Sequence, residues 1–365
     1  MLHVAPTTPA APPSPGAGLA DLSPASFGIV MATGIVSLAC TKLGWPRLAQ
    51  SLFQLNVVAY LMVWTLTLLR LVRHPKRMFG DLVDHGRGPG FFTTVAATGV
   101  LGCQMVLQAS SDEIGMVLWL AALGLWFALT YTIFAAFTVK AEKPALDRGI
   151  NGGWLLAVVA TQSIAALAAL LAAGGEVGWG LTLDFIALSM WLWGGMLYIW
   201  MMSLIFYRYT FFQLAPADLS PPYWINMGAM AISTLAGSLL VQNAARAPFL
   251  DSLLPFLKGF TILYWATGTW WIPMLLVLGA WRHGWKRFPL RYDPLYWGAV
   301  FPLGMYATAT HEMSEAMSLG FLAFLPRLFL YAALVAWGLA FLGLMVDVWN
   351  RLRLRVPGRM GWRGR

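Results

Sequence analysis

Asn151-Gly-Gly-Trp-Leu-Leu-Ala-Val-Val-Ala-Thr-Gln-Ser-Ile-Ala-Ala-Leu-Ala-Ala-Leu-Leu-Ala-Ala173 carries no charged side chain. An uncharged apolar run of roughly 18 or more residues has the length of the hydrocarbon layer and reads as a membrane-spanning helix. Similar blocks flank it in both directions. They place ten spans at 25–43, 51–71, 91–109, 114–138, 152–173, 183–207, 223–243, 256–281, 294–313 and 322–349. Within lipid every backbone N–H and C=O must be satisfied inside the protein, which leaves helices or closed barrels. The blocks lack the period-two alternation of barrel strands. The expected fold is therefore all-α and integral to a membrane. Composition agrees: 59% of the chain is hydrophobic and only 11% charged, against about 25% charged in soluble domains.

The connections between spans differ in charge. The even-numbered ones hold Arg70, Arg73, Lys76, Arg77 and Arg87, then Lys140, Lys143 and Arg148, then Arg208, then Arg282, Lys286, Arg287 and Arg291. The tail after the last span holds six more arginines, from Arg351 to Arg365. The opposite side has only Lys42, Arg47, Arg246, Lys258 and Arg327. The positive-inside rule puts the first side in the cytoplasm, and with it both termini of a multi-pass protein of a bacterial inner membrane. An even number of spans requires the same thing. The net charge of +9 is thereby accounted for without a nucleic-acid partner. Three segments follow: Met1–Ser23, rich in Ala and Pro and lacking Lys or Arg, expected to be a disordered tail; 24–350, the membrane domain; and 351–365, a basic cytoplasmic tail. The two cysteines, Cys40 and Cys103, give no zinc spacing and no disulfide framework. No cofactor or metal is expected.

The odd-numbered spans repeat. Phe27-Gly-Ile-Val-Met-Ala-Thr-Gly34 and Phe92-Thr-Thr-Val-Ala-Ala-Thr-Gly99 share an aromatic followed by Ala-Thr-Gly, 65 residues apart. Val159-Ala-Thr-Gln162, Ala231-Ile-Ser-Thr234 and Trp297-Gly-Ala-Val-Phe-Pro-Leu-Gly304 continue the series more loosely. A repeat of this length is one helical hairpin, so the ten helices are read as five hairpins. Odd spans carry small and polar residues, and even spans carry Trp64, Trp119, Trp126, Trp191, Trp193, Trp200, Trp270, Trp271 and Trp337. Lipid tolerates the second set better than the first. Odd helices are therefore expected to form an inner ring around a central pore, with even helices outside.

A pore without fixed internal charge suits small anions, because hydroxyls, amides and freed backbone N–H groups solvate an anion weakly enough to let it leave. The lining candidates are Phe27, Gly28, Thr33, Gly34, Thr98, Gly99, Gln104, Thr161, Gln162, Asn226, Ser233 and Gly304. Pro302 removes one internal hydrogen bond from span 9 and is expected to kink it.

Ser26-Phe-Gly-Ile-Val-Met-Ala-Thr-Gly-Ile-Val36, Trp224-Ile-Asn-Met-Gly-Ala-Met-Ala231 and Tyr292-Asp-Pro-Leu-Tyr-Trp-Gly-Ala-Val-Phe-Pro-Leu-Gly-Met-Tyr306 resemble the tellurite-resistance/dicarboxylate transporter family. That family includes the bacterial tellurite-resistance protein, yeast malate permeases, fungal sulfite exporters and the slow-type anion channels of plant guard cells. The resemblance implies ten helices in five hairpins, a homotrimer with one pore per subunit, and a phenylalanine of span 9 that plugs the pore. The matching position is Phe301, just before Pro302. The substrates implied are C4-dicarboxylates, sulfite, chloride or nitrate.

A second reading is a proton-coupled dicarboxylate carrier. His311 and Glu315, four residues apart on one helix face, are its candidates, with Glu312 beside them. A membrane enzyme is disfavoured because the five histidines, His3, His74, His85, His283 and His311, form no haem or metal pair within the spans. A non-transporting membrane protein is the remaining alternative.

Overall fold

The computed structural model describes residues 18–174, 177–290 and 292–355. Among these there is no β-strand. The long helices are α1 (Gly28–Lys42), α2 (Pro46–Arg73), α3 (Phe92–Ala109), α4 (Asp112–Val139), α5 (Leu156–Gly174), α6 (Val177–Phe211), α7 (Ile225–Asn243), α8 (Leu254–Gly279), α9 (Trp297–Met317) and α10 (Phe324–Arg355). Among the described residues nine helices are long and apolar enough to cross a membrane; α9 is not among them. Its 21 residues end in His311, Glu312 and Glu315, which lower its hydropathy, yet most of the helix is buried.

Helix ends follow local chemistry. Ser111 caps α4 by accepting the Ile114 N–H at 3.4 Å, and Asp112 and Glu113 sit in the first turn, where the helix dipole favours negative charge. Ser110 and Ser318 close α3 and α9 in the left-handed conformation (φ 51° and 58°).

The odd helices share a further feature. Each is entered through a turn of 3-10 helix: Pro24–Phe27, Gly88–Phe91, Gly152–Leu155, Pro221–Trp224 and Pro294–Tyr296. These turns touch one another in sequence, and the last returns to the first. The helices that follow do likewise: α1 packs on α3, α3 on α5, α5 on α7, α7 on α9, and α9 on α1. Between 72% and 94% of the apolar window of α1, α3, α5 and α7 is buried, against 17% to 50% for the even helices.

Glycine permits the close approach. A Cβ on Gly34 would stand 2.6 Å from Val100, and one on Gly228 would stand 2.7 Å from Pro302. One on Gly304 would crowd Ile35 and Val36 at 3.1 Å. Such contacts between small residues are how membrane helices gain van der Waals packing without a hydrophobic drive.

Of the segment 1–23, residues 1–17 lie outside the described residues. Leu19–Asp21 forms a turn whose Ala20 carbonyl accepts from Arg70 Nε at 3.1 Å, and Asp21 pairs with Arg77 at 3.0 Å. At the other end α10 runs through Arg355, and 356–365 lie outside the described residues. Arg291 does too.

Candidate functional site: an axial pair of cavities

Two cavities lie within the bundle; all five odd helices contribute to each, and three of the entry turns contribute to the second. The first opens toward the end where α1 finishes. Its wall is Ile35, Leu38 and Lys42 of α1; Gly99, Val100, Cys103 and Leu107 of α3; Ser163, Ala166 and Leu170 of α5; Ile232, Leu235 and Leu239 of α7; and Met305, Thr308 and Glu312 of α9. The second lies toward the end where α1 begins. Ala25, Gly28 and Met31, then Thr93, Leu156, Pro222 and Ile225, then Pro294, Leu295, Trp297, Gly298 and Phe301 border it. Each holds ≈ 30 Å³ of space for water-sized occupants, room for about two waters.

A thin barrier separates them. On α1, Met31 borders one cavity and Ile35 the other; on α9, Phe301 borders one and Met305 the other. Four residues of helix rise about 6 Å. Phe301 and Met31, which border the second cavity on this side, are buried, at 1% and 2% exposed. Helix α9 is continuous through Pro302. Pro302 nevertheless has no N–H to offer the carbonyl of Gly298, one turn back and beside the cavity.

The cavity walls are mostly apolar: Ser163, Thr308 and Thr93 border them but give their hydroxyl protons to backbone carbonyls, and one charged pair is present. Lys42 Nζ stands 2.8 Å from Glu312 Oε1, and Gln242 Nε2 donates to Glu312 Oε2 at 3.0 Å. Both charges border the first cavity, and no other charged side chain does.

The polar residues expected to line a pore point elsewhere. Thr33 accepts from Trp337 Nε1 of α10 at 3.0 Å. Thr98 spends its proton on the Thr94 carbonyl at 2.7 Å, so the Tyr60 hydroxyl of α2 donates to it at 3.0 Å. Trp126 Nε1 of α4 donates to Thr161 at 2.7 Å. Trp191 Nε1 of α6 donates to the Ser233 carbonyl at 2.8 Å, and Gln162 donates to the Trp191 carbonyl at 3.0 Å. Trp265 Nε1 of α8 donates to Thr310 of α9 at 3.0 Å. Gln104 accepts from Asn56 at 2.6 Å, and Asn226 donates to Tyr209 at 3.1 Å. Phe27 meets Tyr60 and Trp64 edge-on at 6.3 and 5.1 Å.

A rule underlies these contacts. Each even helix hydrogen-bonds, through an aromatic donor, to the odd helix that follows it in sequence, and α10 closes the series on α1. The repeated threonine of Ala-Thr-Gly and Ala-Thr-Gln is the acceptor on α1, α3 and α5; on α7 it is the Ser233 carbonyl and on α9 Thr310. Thr33, Gly34, Thr98, Gln104, Thr161, Gln162, Asn226, Ser233, Gly304 and Phe27 border neither cavity. Of the expected lining set, Gly28 and Gly99 do, as does Phe301. The physical reason is that a helix buried on all sides can turn a polar side chain either inward or toward an outer neighbour, and burial alone does not distinguish the two.

The tryptophans of the even spans divide accordingly. Trp119, Trp126, Trp191 and Trp271 are buried, while Trp193, Trp200 and Trp270 are exposed. His311 is half-buried and Glu315 exposed, and neither reaches a cavity. Sequence reasoning missed the Lys42–Glu312 pair, whose partners are 270 residues apart. It also missed Asp184 of α6, buried and accepting from Asn243 at 2.7 Å.

Taken together, the fold is that of a polytopic helical membrane protein whose odd helices meet around paired cavities. The chain belongs to the voltage-dependent anion channel family, whose model matches residues 21–345. This agrees with the resemblance carried by Ser26–Val36 and Tyr292–Tyr306. An uncharacterized membrane protein of Mycobacterium tuberculosis is 37% identical over 149 residues, 41% of this chain and 75% of that one. An uncharacterized transporter of Methanocaldococcus jannaschii is 29% identical over 294 residues, covering 78% of this chain and 82% of its own. A sulfite efflux pump of Trichophyton rubrum is 23% identical over 351 residues, covering 88% and 90%. Family and relatives make this a membrane protein of anion transport.

Proposed function

We propose that the odd helices form an inner ring and that small anions pass along its axis, through a constriction closed by Phe301. The observation that carries this reading is the pair of cavities bordered by all five odd helices and separated by about one helical turn at Phe301 and Met31. An apolar constriction holds back ions because it does not stay wet, and displacing one ring admits water. Apart from one ion pair, the walls offer no fixed charge to trap an anion. Proposed permeants are sulfite, as the fungal relative's name suggests, and chloride, nitrate or a C4-dicarboxylate. The protein is proposed to sit in a bacterial inner membrane as a homotrimer, with both termini in the cytoplasm. The interior-negative potential, roughly 2.3 kcal/mol per charge at 100 mV, then favours export.

The test is efflux from liposomes holding the purified protein. Nitrate, chloride, sulfite and malate are compared under an imposed potential, with and without a pH gradient. Flux that follows the potential and accepts several anions supports the channel. Flux that saturates for malate alone and follows the pH gradient favours the coupled carrier. No flux of any anion, in wild type or in Phe301→Ala, refutes both.

A further inference from the structure

At the wall of the first cavity, the two oxygens of Glu312 are held by two different donors. Lys42 Nζ approaches Oε1 at 2.8 Å and Gln242 Nε2 donates to Oε2 at 3.0 Å. An ammonium and an amide N–H, one for each oxygen, is a donor set for a small oxyanion. The partners differ in freedom. Glu312 is fixed within α9, with its side chain 7% exposed, while the Lys42 side chain is 30% exposed at the last turn of α1 on a flexible stem. The carboxylate stays and the ammonium can swing.

We infer that Lys42 and Gln242 form an oxyanion-binding subsite at the mouth of the first cavity, occupied in this structure by the chain's own Glu312 carboxylate. This rests on the axial anion route proposed above and adds its entry or exit station. A permeant oxyanion draws Lys42 away from Glu312. The uncovered carboxylate then repels the bound ion and limits its residence, which is what conduction needs. Sulfite, nitrate and carboxylates can engage both donors, whereas chloride, a single atom, gains less.

The subsite predicts opposite effects for two substitutions that break the same ion pair. Glu312→Gln frees Lys42 and leaves the mouth positive. Lys42→Met leaves Glu312 facing the cavity and the mouth negative. In the Phe301→Ala background, half-saturating nitrate for efflux should fall by about tenfold in Glu312→Gln and rise by about tenfold in Lys42→Met. Lys42→Arg should stay near the parent, and chloride should shift less than nitrate. A merely structural pair predicts shifts in the same direction, or none, and that result would overturn the subsite.

Nitrate-dependent thermal stabilisation of the detergent-purified variants reads binding without transport. Glu312→Gln should be stabilised at lower nitrate than wild type, and Lys42→Met at higher. If no variant carries any anion, the axial route fails and this titration alone decides the subsite. Equal titrations in both variants would reject it.

Discussion

Two faces of the same helices do different work. Toward the cavities, α1, α3, α5, α7 and α9 present Ile35, Val100, Leu170, Leu235 and Met305, with Phe301 also on α9. Toward the outer helices they present Thr33, Thr98, Thr161, Thr310 and the Ser233 carbonyl, each accepting from an aromatic donor. The aromatic-donor bonds join neighbouring helices, while the cavity walls are mostly apolar. The lesson is that a polar residue in a buried membrane helix needs its facing partner identified before it is assigned to a pore.

The comparison can be broken most sharply where odd helices touch. Gly34→Leu adds a side chain where a Cβ alone would lie 2.6 Å from Val100 and 2.7 Å from Asn56. Overpacking of a tight core costs about 1–3 kcal/mol or more, so this variant should lose its monodisperse peak on size-exclusion chromatography. A normal peak would mean that the ring of contacts is looser than described.

A smaller effect is expected at the seam. Thr161→Val keeps the shape and leaves the Trp126 N–H without its acceptor. Hydrogen bonds between membrane helices average about 0.6 kcal/mol, with a maximum near 1.7. The melting temperature in detergent should drop, and a double-mutant cycle with Trp126→Phe should return a coupling of that size. Half-saturating nitrate should not change. If flux changes while stability does not, the threonine faces permeating anions after all.

The smallest effect is expected at His311 and Glu315. Neither reaches a cavity, so His311→Ala and Glu315→Gln should leave both flux and its response to a pH gradient as in wild type. Loss of a pH-driven component in either variant would restore the coupled-carrier reading.

The sequence announces the spanning helices through uncharged runs such as Asn151–Ala173, because hydrocarbon demands length and apolarity and little else. It announces α9 only through its motif. His311, Glu312 and Glu315 depress its hydropathy, and the burial of Glu312 depends on neighbours that no local window contains. The face of each odd helix was not legible. Periodicity separates a buried side from an exposed one, and α5 and α7 have almost no exposed side. The Ala-Thr-Gly repeat was visible, but its acceptor role requires Trp126 or Trp337, which lie on other hairpins. Reading 183–207 as one more apolar run passes over Asp184, whose partner Asn243 is 59 residues away. The 3-10 turns before the odd helices were hinted at by Pro24, Pro89, Gly152, Pro221 and Pro294, a recurrence easier to see once the turns are found touching.

The most direct measurement is the current carried by purified protein in a planar bilayer, wild type beside Phe301→Ala and Phe301→Trp. If Phe301 closes the axis, Phe301→Ala should carry nitrate and chloride at least about tenfold faster, equivalent to removing roughly 1.4 kcal/mol of barrier, and Phe301→Trp should remain closed. Equal, low currents in all three, from protein that is folded by size-exclusion chromatography, would contradict an axial route closed at Phe301.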